Sequence, residues 1–219
     1  MRIFLDTANT DELRQGVKWG VVSGVTTNPT LIAQEGNKEY QSVVQDICAI
    51  VNGPVSAEVV VEGVEAMLEQ ARTLASWHHN VVVKIPATPE GLEVTSILAK
   101  EGIKVNLTLC FSPNQALLAA LAGATYVSPF VGRLDDIGQD GMLLVKSIIE
   151  MFKYYSYSTK VIAASIRHPM HCLAASQVGA DIATIPFKVL KQMIKHPLTE
   201  DGNARFLSDW QRVSGKNNL

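Results

Sequence analysis

Cysteine is scarce in this chain: Cys48, Cys110 and Cys172 are odd in number, far apart and without a C-x-x-C pair. Neither a disulfide framework nor a zinc site is indicated, and all three read as reduced, partly buried thiols. An excess of charge of one sign is missing too, since 19 Lys and Arg against 21 Asp and Glu give a net charge of -2 and a pI near 6.2. That excludes the basic stripe which neutralises nucleic-acid backbones or anionic membrane surfaces, so small-molecule work fits better. No apolar run reaches the roughly 18 to 20 residues that span a bilayer, and MRIFLDTANTDEL meets Asp6 before a signal-peptide core could form. These absences predict a cytoplasmic protein whose partners are neither nucleic acid nor membrane. No linker or low-complexity stretch interrupts the chain, and no G-x-G-x-x-G follows the first apolar run, which weakens a nucleotide-binding reading.

What is present is ordinary globular material, 47% hydrophobic and 18% charged over 219 residues, enough for one domain with a sizeable core. Eight short apolar runs alternate with helical patterns: IFLD ending at Asp6, GVTT at Thr27, SAEVV around Glu58, VVVKI around Lys84, VNLT at Thr108, YVSPF at Phe130, VIAAS at Ser165 and IATIPF near the end. Their near-continuous Val/Ile/Ala character suits parallel strands covered on both faces, with one crossover helix in each interval. The repeat of roughly 27 residues is the size of one βα module. Helix starts are punctuated by a cap followed by proline at Asn28-Pro29, Thr88-Pro89 and Ser112-Pro113, the last with Gln115 where a capping box wants it. Eight such units predict a single (β/α)8 TIM barrel over residues 1–197, with an open doubly wound sheet as the runner-up, because periodicity alone does not show closure. One element is left over. From Thr199 to Val213 the spacing of Phe206, Leu207, Trp210 and Val213 predicts an extra amphipathic helix, placed in a segment 198–219 of the same domain. Its apolar face must be buried across one end of the barrel or against another subunit.

In a TIM barrel the site is built from the C-terminal ends of the strands, so polar residues there carry the weight. Asp6 ends the first run, Asn28 follows the second, Glu58 lies in the third, Lys84 in the fourth, Asn106 and Thr108 in the fifth, Ser128 in the sixth and Ser165 in the seventh. Two-residue spacing puts Asn106 with Thr108, Ser128 with Phe130, and Ser165 with Arg167 on shared faces. Lys84 is the sharpest signal, because Val81-Val82-Val83-Lys84-Ile85-Pro86 buries it where a solvated lysine would be out of place. A lysine taken out of water is disfavoured as the ammonium ion and becomes a usable amine nucleophile. The competing reading is a snorkelling or ion-paired structural lysine. Asp6 and Glu58 alone read as caps or salt-bridge partners, yet beside an interior lysine they suit proton transfers around an imine. Arg133 and Arg167 follow the sixth and seventh strands, where two guanidinium forks would match phosphate oxygens, against the usual fate of a solvated arginine. His168 and His171 lack an evident third ligand, so no metal is expected. Tyr154, Tyr155 and Tyr157 read as packing at a helix end, and Trp19, Trp77 and Trp210 as core or interface.

FLDTAN (Phe4 to Asn9), GVTTNPT (Gly24 to Thr30), VKIPAT (Val83 to Thr88), NLTLCFSPNQA (Asn106 to Ala116), SPFVGR (Ser128 to Arg133) and ASIRHP (Ala164 to Pro169) resemble the transaldolase family over essentially the whole chain, in the branch of short transaldolases and fructose-6-phosphate aldolases. The resemblance implies that Lys84 forms a Schiff base with a ketose donor, that Asp6 is the acid/base on the hydroxyl next to the breaking bond, and that Glu58 and Thr108 hold a proton-shuttling water. Asn28, Asn106, Ser128 and Ser165 would bind the dihydroxyacetone moiety or its neighbours, and Arg133 with Arg167 the distal phosphate. The implied reaction moves a dihydroxyacetone unit from sedoheptulose 7-phosphate to glyceraldehyde 3-phosphate, giving erythrose 4-phosphate and fructose 6-phosphate in the pentose phosphate pathway, with no metal or organic cofactor. A homo-oligomer, a decamer of two rings, is also implied. Fructose-6-phosphate aldolases of this branch carry Gln and Tyr where this sequence has Glu58 and Phe130, which favours the transferase over an aldolase acting on free dihydroxyacetone. A non-catalytic phosphosugar-binding barrel is the alternative from another class.

Overall fold

A computed structural model describes residues 1–36 and 38–214. In chain order the elements are β1 (Arg2–Asp6), α1 (Thr10–Lys18), β2 (Val22–Thr26), α2 (Pro29–Gln34), α3 (Tyr40–Ile50), β3 (Val55–Glu58), α4 (Val64–Ser76), β4 (Val81–Pro86), α5 (Pro89–Lys100), β5 (Val105–Cys110), α6 (Pro113–Leu121), β6 (Tyr126–Pro129), α7 (Val131–Asp135), α8 (Gly141–Tyr155), β7 (Lys160–Ala163), α9 (Pro169–Gln177), β8 (Ile182–Ile185), α10 (Phe187–Ile194) and α11 (Pro197–Ser214). All eight strands are parallel and pair in sequence order, and β8 closes on β1 through Ile3↔Ala183 and Phe4↔Thr184. Closure settles the barrel against the open sheet. Two crossovers depart from the one-helix expectation: β2 to β3 carries α2 and α3, and β6 to β7 carries α7 and α8.

Alternation of side chains along a strand sorts the sequence into two faces. Odd-numbered strand residues such as Leu5, Val25, Val83, Ile85, Leu107 and Ile185 belong to the large apolar layer between strands and helices. Even-numbered residues face the barrel axis, where Phe4, Val82, Tyr126, Ile162 and Ile182 form a separate buried cluster. These five lie toward the strand N-termini and fill that end of the barrel with apolar side chains. Gly24 makes room for the plug, since a Cβ there would lie 2.5 Å from the Phe4 ring. Two residues beyond Phe4, Val82, Tyr126 and Ile182 the same inward face turns polar, at Asp6, Lys84, Ser128 and Thr184, joined by Thr26 and Glu58. The floor of the functional end is thus a packed core.

The three cap-then-proline starts act as the sequence predicts. The side chains of Asn28, Thr88 and Ser112 accept from the backbone N–H of Leu31 (3.0 Å), Gly91 (3.0 Å) and Gln115 (3.2 Å). Gln115 departs slightly from a capping box: its Oε1 accepts from Phe111 N–H at 2.8 Å, while its Nε2 donates to Ala87 O at 3.3 Å and ties α6 to the loop after β4. All three cysteines are buried and free, and burial pushes each thiol up to about 11. The tyrosine expectation needs correcting. Tyr157 does pack, edge-on to Phe152 at 5.6 Å, but Tyr154 is 81% exposed because the last turn of α8 rotates it out of the core. Trp77 packs edge-on against Tyr40 at 5.1 Å and Trp19 meets the Phe187 ring at 5.8 Å while staying partly exposed, whereas Trp210 stands largely in solvent. The surplus helix is present as α11 with no buried residue, so Phe206, Leu207, Trp210 and Val213 are all exposed on this chain. The rest of the segment, residues 215–219, lies outside the described residues. Among the described residues no helix is long and apolar enough to cross a membrane.

Candidate active site

β4 delivers Lys84 into the barrel mouth. The residues on either side of it, Val83 and Ile85, point into the apolar layer and are fully buried, which fixes the lysine inward. Register then sets its neighbours, because Glu58 of β3 and Asn106 of β5 are its Cα partners across the two ladders. Lys84 Nζ donates to Glu58 Oε2 at 2.9 Å and to the Thr27 carbonyl at 3.1 Å, with both charged side chains nearly buried. The ion-paired reading of this lysine is thus realised, in a side chain that also lines the barrel mouth.

Asp6 stands at the end of β1, where Thr26 Oγ1 donates to its Oδ1 at 2.7 Å and lies 2.6 Å from Thr184 Oγ1. Burial raises the Asp6 carboxyl above its ordinary value, against the opposing pull of the Thr26 hydrogen bond and the Lys84 charge. Glu58 is held from behind by Tyr40 of α3, whose hydroxyl accepts from Glu58 N–H at 2.7 Å and donates to the Glu58 carbonyl at 3.1 Å. Desolvation, first among its causes, lifts the Tyr40 phenol to about 12.

A cavity of about 220 Å3 gathers Asp6, Asn28, Lys84, Ser128, Phe130, Arg133, Ser165 and Arg167 with Thr26, Thr184 and Pro186. Glu58 opens into an adjoining cavity that shares Asn28, Lys84, Phe130 and Arg133. Asn106 and Thr108 line neither. Asn106 lies fully buried beneath, donating to Ser56 Oγ at 3.2 Å and accepting from Ser128 Oγ at 2.7 Å, so it orients a lining serine. Thr108 Oγ1 is buried with no hydrogen-bond partner among the described residues.

Asn106 and Thr108 share the inward face of β5, while Ser165 and Arg167 both line the cavity without strand alternation placing them there. β7 ends at Ala163, and Ser165 adopts a left-handed φ of 58°, which breaks strand alternation and turns the chain into the loop before α9. β6 likewise ends at Pro129, leaving Phe130 attached to Ala164 by a single bridge. Arg133 lies on α7 with its guanidinium 5.0 Å from the Phe130 ring centre, a cation–π contact. Phe130 also meets Phe111 edge-on at 5.7 Å. Arg167 crosses to Asp136 at 2.7 Å. Among the described residues no group of three or more His, Cys, Asp or Glu side chains could hold a metal ion.

The sequence reading passed over Thr26, Thr184 and Tyr40. The two threonines share the inward parity of Asp6 and Lys84, and applying that alternation to β2 and β8 finds them. Tyr40 sits at the start of a helix and reaches Glu58 only through the packing of α3, so no local pattern reveals it.

A parallel eight-stranded barrel closed on itself, with an ion-paired lysine at the C-terminal mouth, defines a TIM-barrel protein with an enzyme-like site. Among solved structures a mandelate oxidase carrying an FMN adduct matches with a TM-score of 0.58 at 13% identity, over 85% of this chain and 64% of that one, and shows the shared fold alone. The model of the transaldolase/fructose-6-phosphate aldolase family matches residues 3 to 217. A probable transaldolase of Dehalococcoides mccartyi is 64% identical over 97% of this chain and 99% of its own. One from Caldicellulosiruptor saccharolyticus is 59% identical over 99% of this chain and 100% of its own. The chain belongs to the transaldolase/fructose-6-phosphate aldolase family and is an enzyme of transaldolase type.

Proposed function

We propose that the protein transfers a dihydroxyacetone unit between sugar phosphates through a Schiff base on Lys84, taking sedoheptulose 7-phosphate and glyceraldehyde 3-phosphate to erythrose 4-phosphate and fructose 6-phosphate. The observation that carries this reading is Lys84 itself, a lysine in the barrel interior 2.9 Å from one carboxylate and lining a cavity with a second. Glu58 takes the proton that frees the amine, Nζ attacks the ketose carbonyl carbon, and loss of water leaves the imine. Asp6 then removes the proton of the hydroxyl on the far side of the bond that breaks. The bonding electrons pass into the imine, an aldehyde departs, and a three-carbon enamine remains on Lys84. An acceptor aldehyde reverses these steps, Asp6 returning its proton before water releases the new ketose. A carboxyl raised by burial suits that duty, because its carboxylate binds a proton more readily than a solvated one.

Asn28, Ser128 and Ser165 bind the hydroxyls of the three-carbon unit, with Asn106 acting through Ser128, while Arg133 and Arg167 hold the distal phosphate. The buried hydroxyl of Thr108 has hydrogen-bonding capacity to spare for the proton-shuttling water shared with Glu58. The imine supplies the electron sink, so the reaction needs no metal or organic cofactor. The setting we assign is the pentose phosphate pathway in the cytoplasm, in a homo-oligomer, a decamer, whose subunits cover the exposed apolar face of α11 in the segment 198–219.

The test is borohydride reduction in the presence of fructose 6-phosphate. Inactivation should leave a three-carbon adduct on the peptide containing Lys84, and an adduct elsewhere overturns the assignment. Glyceraldehyde 3-phosphate release should require erythrose 4-phosphate. Equal release without that acceptor would make the enzyme an aldolase instead.

A further inference from the structure

His171, outside the cavity, joins the phosphate-side loop to α7. Its Nδ1 accepts from the backbone N–H of Arg167 at 3.3 Å, and its Nε2 lies 2.9 Å from Asp135 Oδ2. Asp135 is itself fixed, since its Oδ1 accepts from Gly141 N–H at 2.9 Å at the start of α8. An imidazole that accepts at Nδ1 and donates at Nε2 is neutral, in the tautomer with its proton on Nε2. The loop it secures includes Ser165 in its left-handed conformation, and Arg167 lies so close over Gly132 that a Cβ there would meet its Nε at 2.6 Å. Little slack is left for the guanidinium once the backbone of Arg167 is held.

We propose that His171 is the positioning residue for Arg167: as the neutral Nε2–H tautomer it pins the Arg167 backbone to Asp135, and gaining a proton at Nδ1 releases that hold and weakens recognition of phosphorylated sugars. The inference rests on the reading that Arg167 binds the substrate phosphate. Protonation sets one donor against another, because Nδ1–H would face Arg167 N–H. The charged groups facing the ring are His168, 3.8 Å away between ring centres, Arg167 from the loop, and Asp135 from α7. Burial first, and then the charge of His168, hold His171 below its ordinary value against the pull of Asp135, which favours the neutral clamp at neutral pH.

The experiment measures KM and kcat for fructose 6-phosphate and for unphosphorylated fructose, with the same acceptor, from about pH 8 down to about pH 5.5, a range that spans the ordinary histidine value. In the wild type, KM for the phosphorylated donor should rise about three- to tenfold as pH falls, the worth of one hydrogen bond, while KM for fructose stays level. His171→Asn retains an acceptor near the Nδ1 position and has no proton to gain, so it should keep the low KM and flatten the profile. His171→Ala should show the high KM at every pH. If His171→Asn retains the wild-type pH dependence, another group titrates and the proposal is overturned. Nitrogen NMR of labelled histidine in the wild type gives an answer even if the variants fail to fold, because finding Nδ1 protonated at neutral pH also overturns it. Arg167→Gln separates the two layers. An unchanged KM for fructose 6-phosphate in that variant removes the phosphate reading, whereas a raised KM there with no effect of His171→Ala removes only the clamp.

Discussion

Removing the hydroxyl of Tyr40 tests whether Glu58 is aimed from behind. In Tyr40→Phe, Glu58 loses the one hydroxyl that both accepts from its N–H at 2.7 Å and donates to its carbonyl at 3.1 Å. The ring and its edge contact with Trp77 stay. Two backbone groups in a half-buried setting lose a partner, a cost of about 2 kcal/mol at pH 8. The sign reverses in alkali. Folding lifts the phenol from 10.0 to about 12, so the stability held in the neutral phenol is complete below pH 10 and is lost as pH rises through 12. At about 1.4 kcal/mol per pH unit, the wild type forfeits roughly that amount by pH 11 and about twice that by pH 12, losses the phenylalanine variant does not share. Urea unfolding of both proteins at pH 8, 10 and 11 measures the gap, which should narrow from about 2 to below 1 kcal/mol. kcat should fall in the variant while KM for phosphorylated donors stays near wild type, because Glu58 and not the phosphate side has lost its support. A stability gap that is the same at pH 8 and pH 11, or a kcat equal to wild type, would refute the reasoning.

Asp6→Asn should abolish transfer yet unfold at higher urea than wild type at pH 7. A raised carboxyl costs stability as pH climbs above its ordinary value of 3.8, so the advantage should shrink on acidification and vanish only below that value, at about pH 3, and no gain at pH 7 would contradict the assigned burial. Phe130→Tyr places a hydroxyl beside Lys84 and should increase glyceraldehyde 3-phosphate release without acceptor, with an unchanged ratio of acceptor-free to acceptor-dependent release removing any role of this ring in favouring transfer. EDTA should leave the rate unchanged, and a loss restored by divalent metal would point to the other chemistry of aldol cleavage. A chain ending at Pro197 should scatter light as a smaller species than the full chain, whereas a full chain already monomeric at micromolar concentration contradicts the proposed assembly.

The alternation of residues was enough to place Lys84. A lysine flanked by valines and isoleucine in a strand covered on both faces can only point along the barrel axis, and the same parity places Asp6, Glu58, Ser128, Thr26 and Thr184. Caps were legible for a similar reason. Asn28, Thr88 and Ser112 bond to N–H groups three residues away, so their partners lie within the local sequence. Alternation failed at Ser165, because a left-handed residue leaves the two-residue period that the reading of Arg167 assumed. It also could not show depth: Asn106 and Lys84 share a parity and are Cα partners, but only the packed structure shows Asn106 fully buried and bonded to Ser56 and Ser128.

The sequence by itself therefore determined the strands, their inward faces, the helix starts and the lysine, all of which follow from short-range periodicity and local hydrogen bonding. Only the tertiary structure decided closure of β8 on β1, the grip of Tyr40 on Glu58, the stacking of Arg133 on Phe130 and the link from His171 to Arg167 and Asp135. Such contacts join separate elements or turn on loop geometry. They form only once the packing of helices on the barrel has fixed distances that no local pattern encodes.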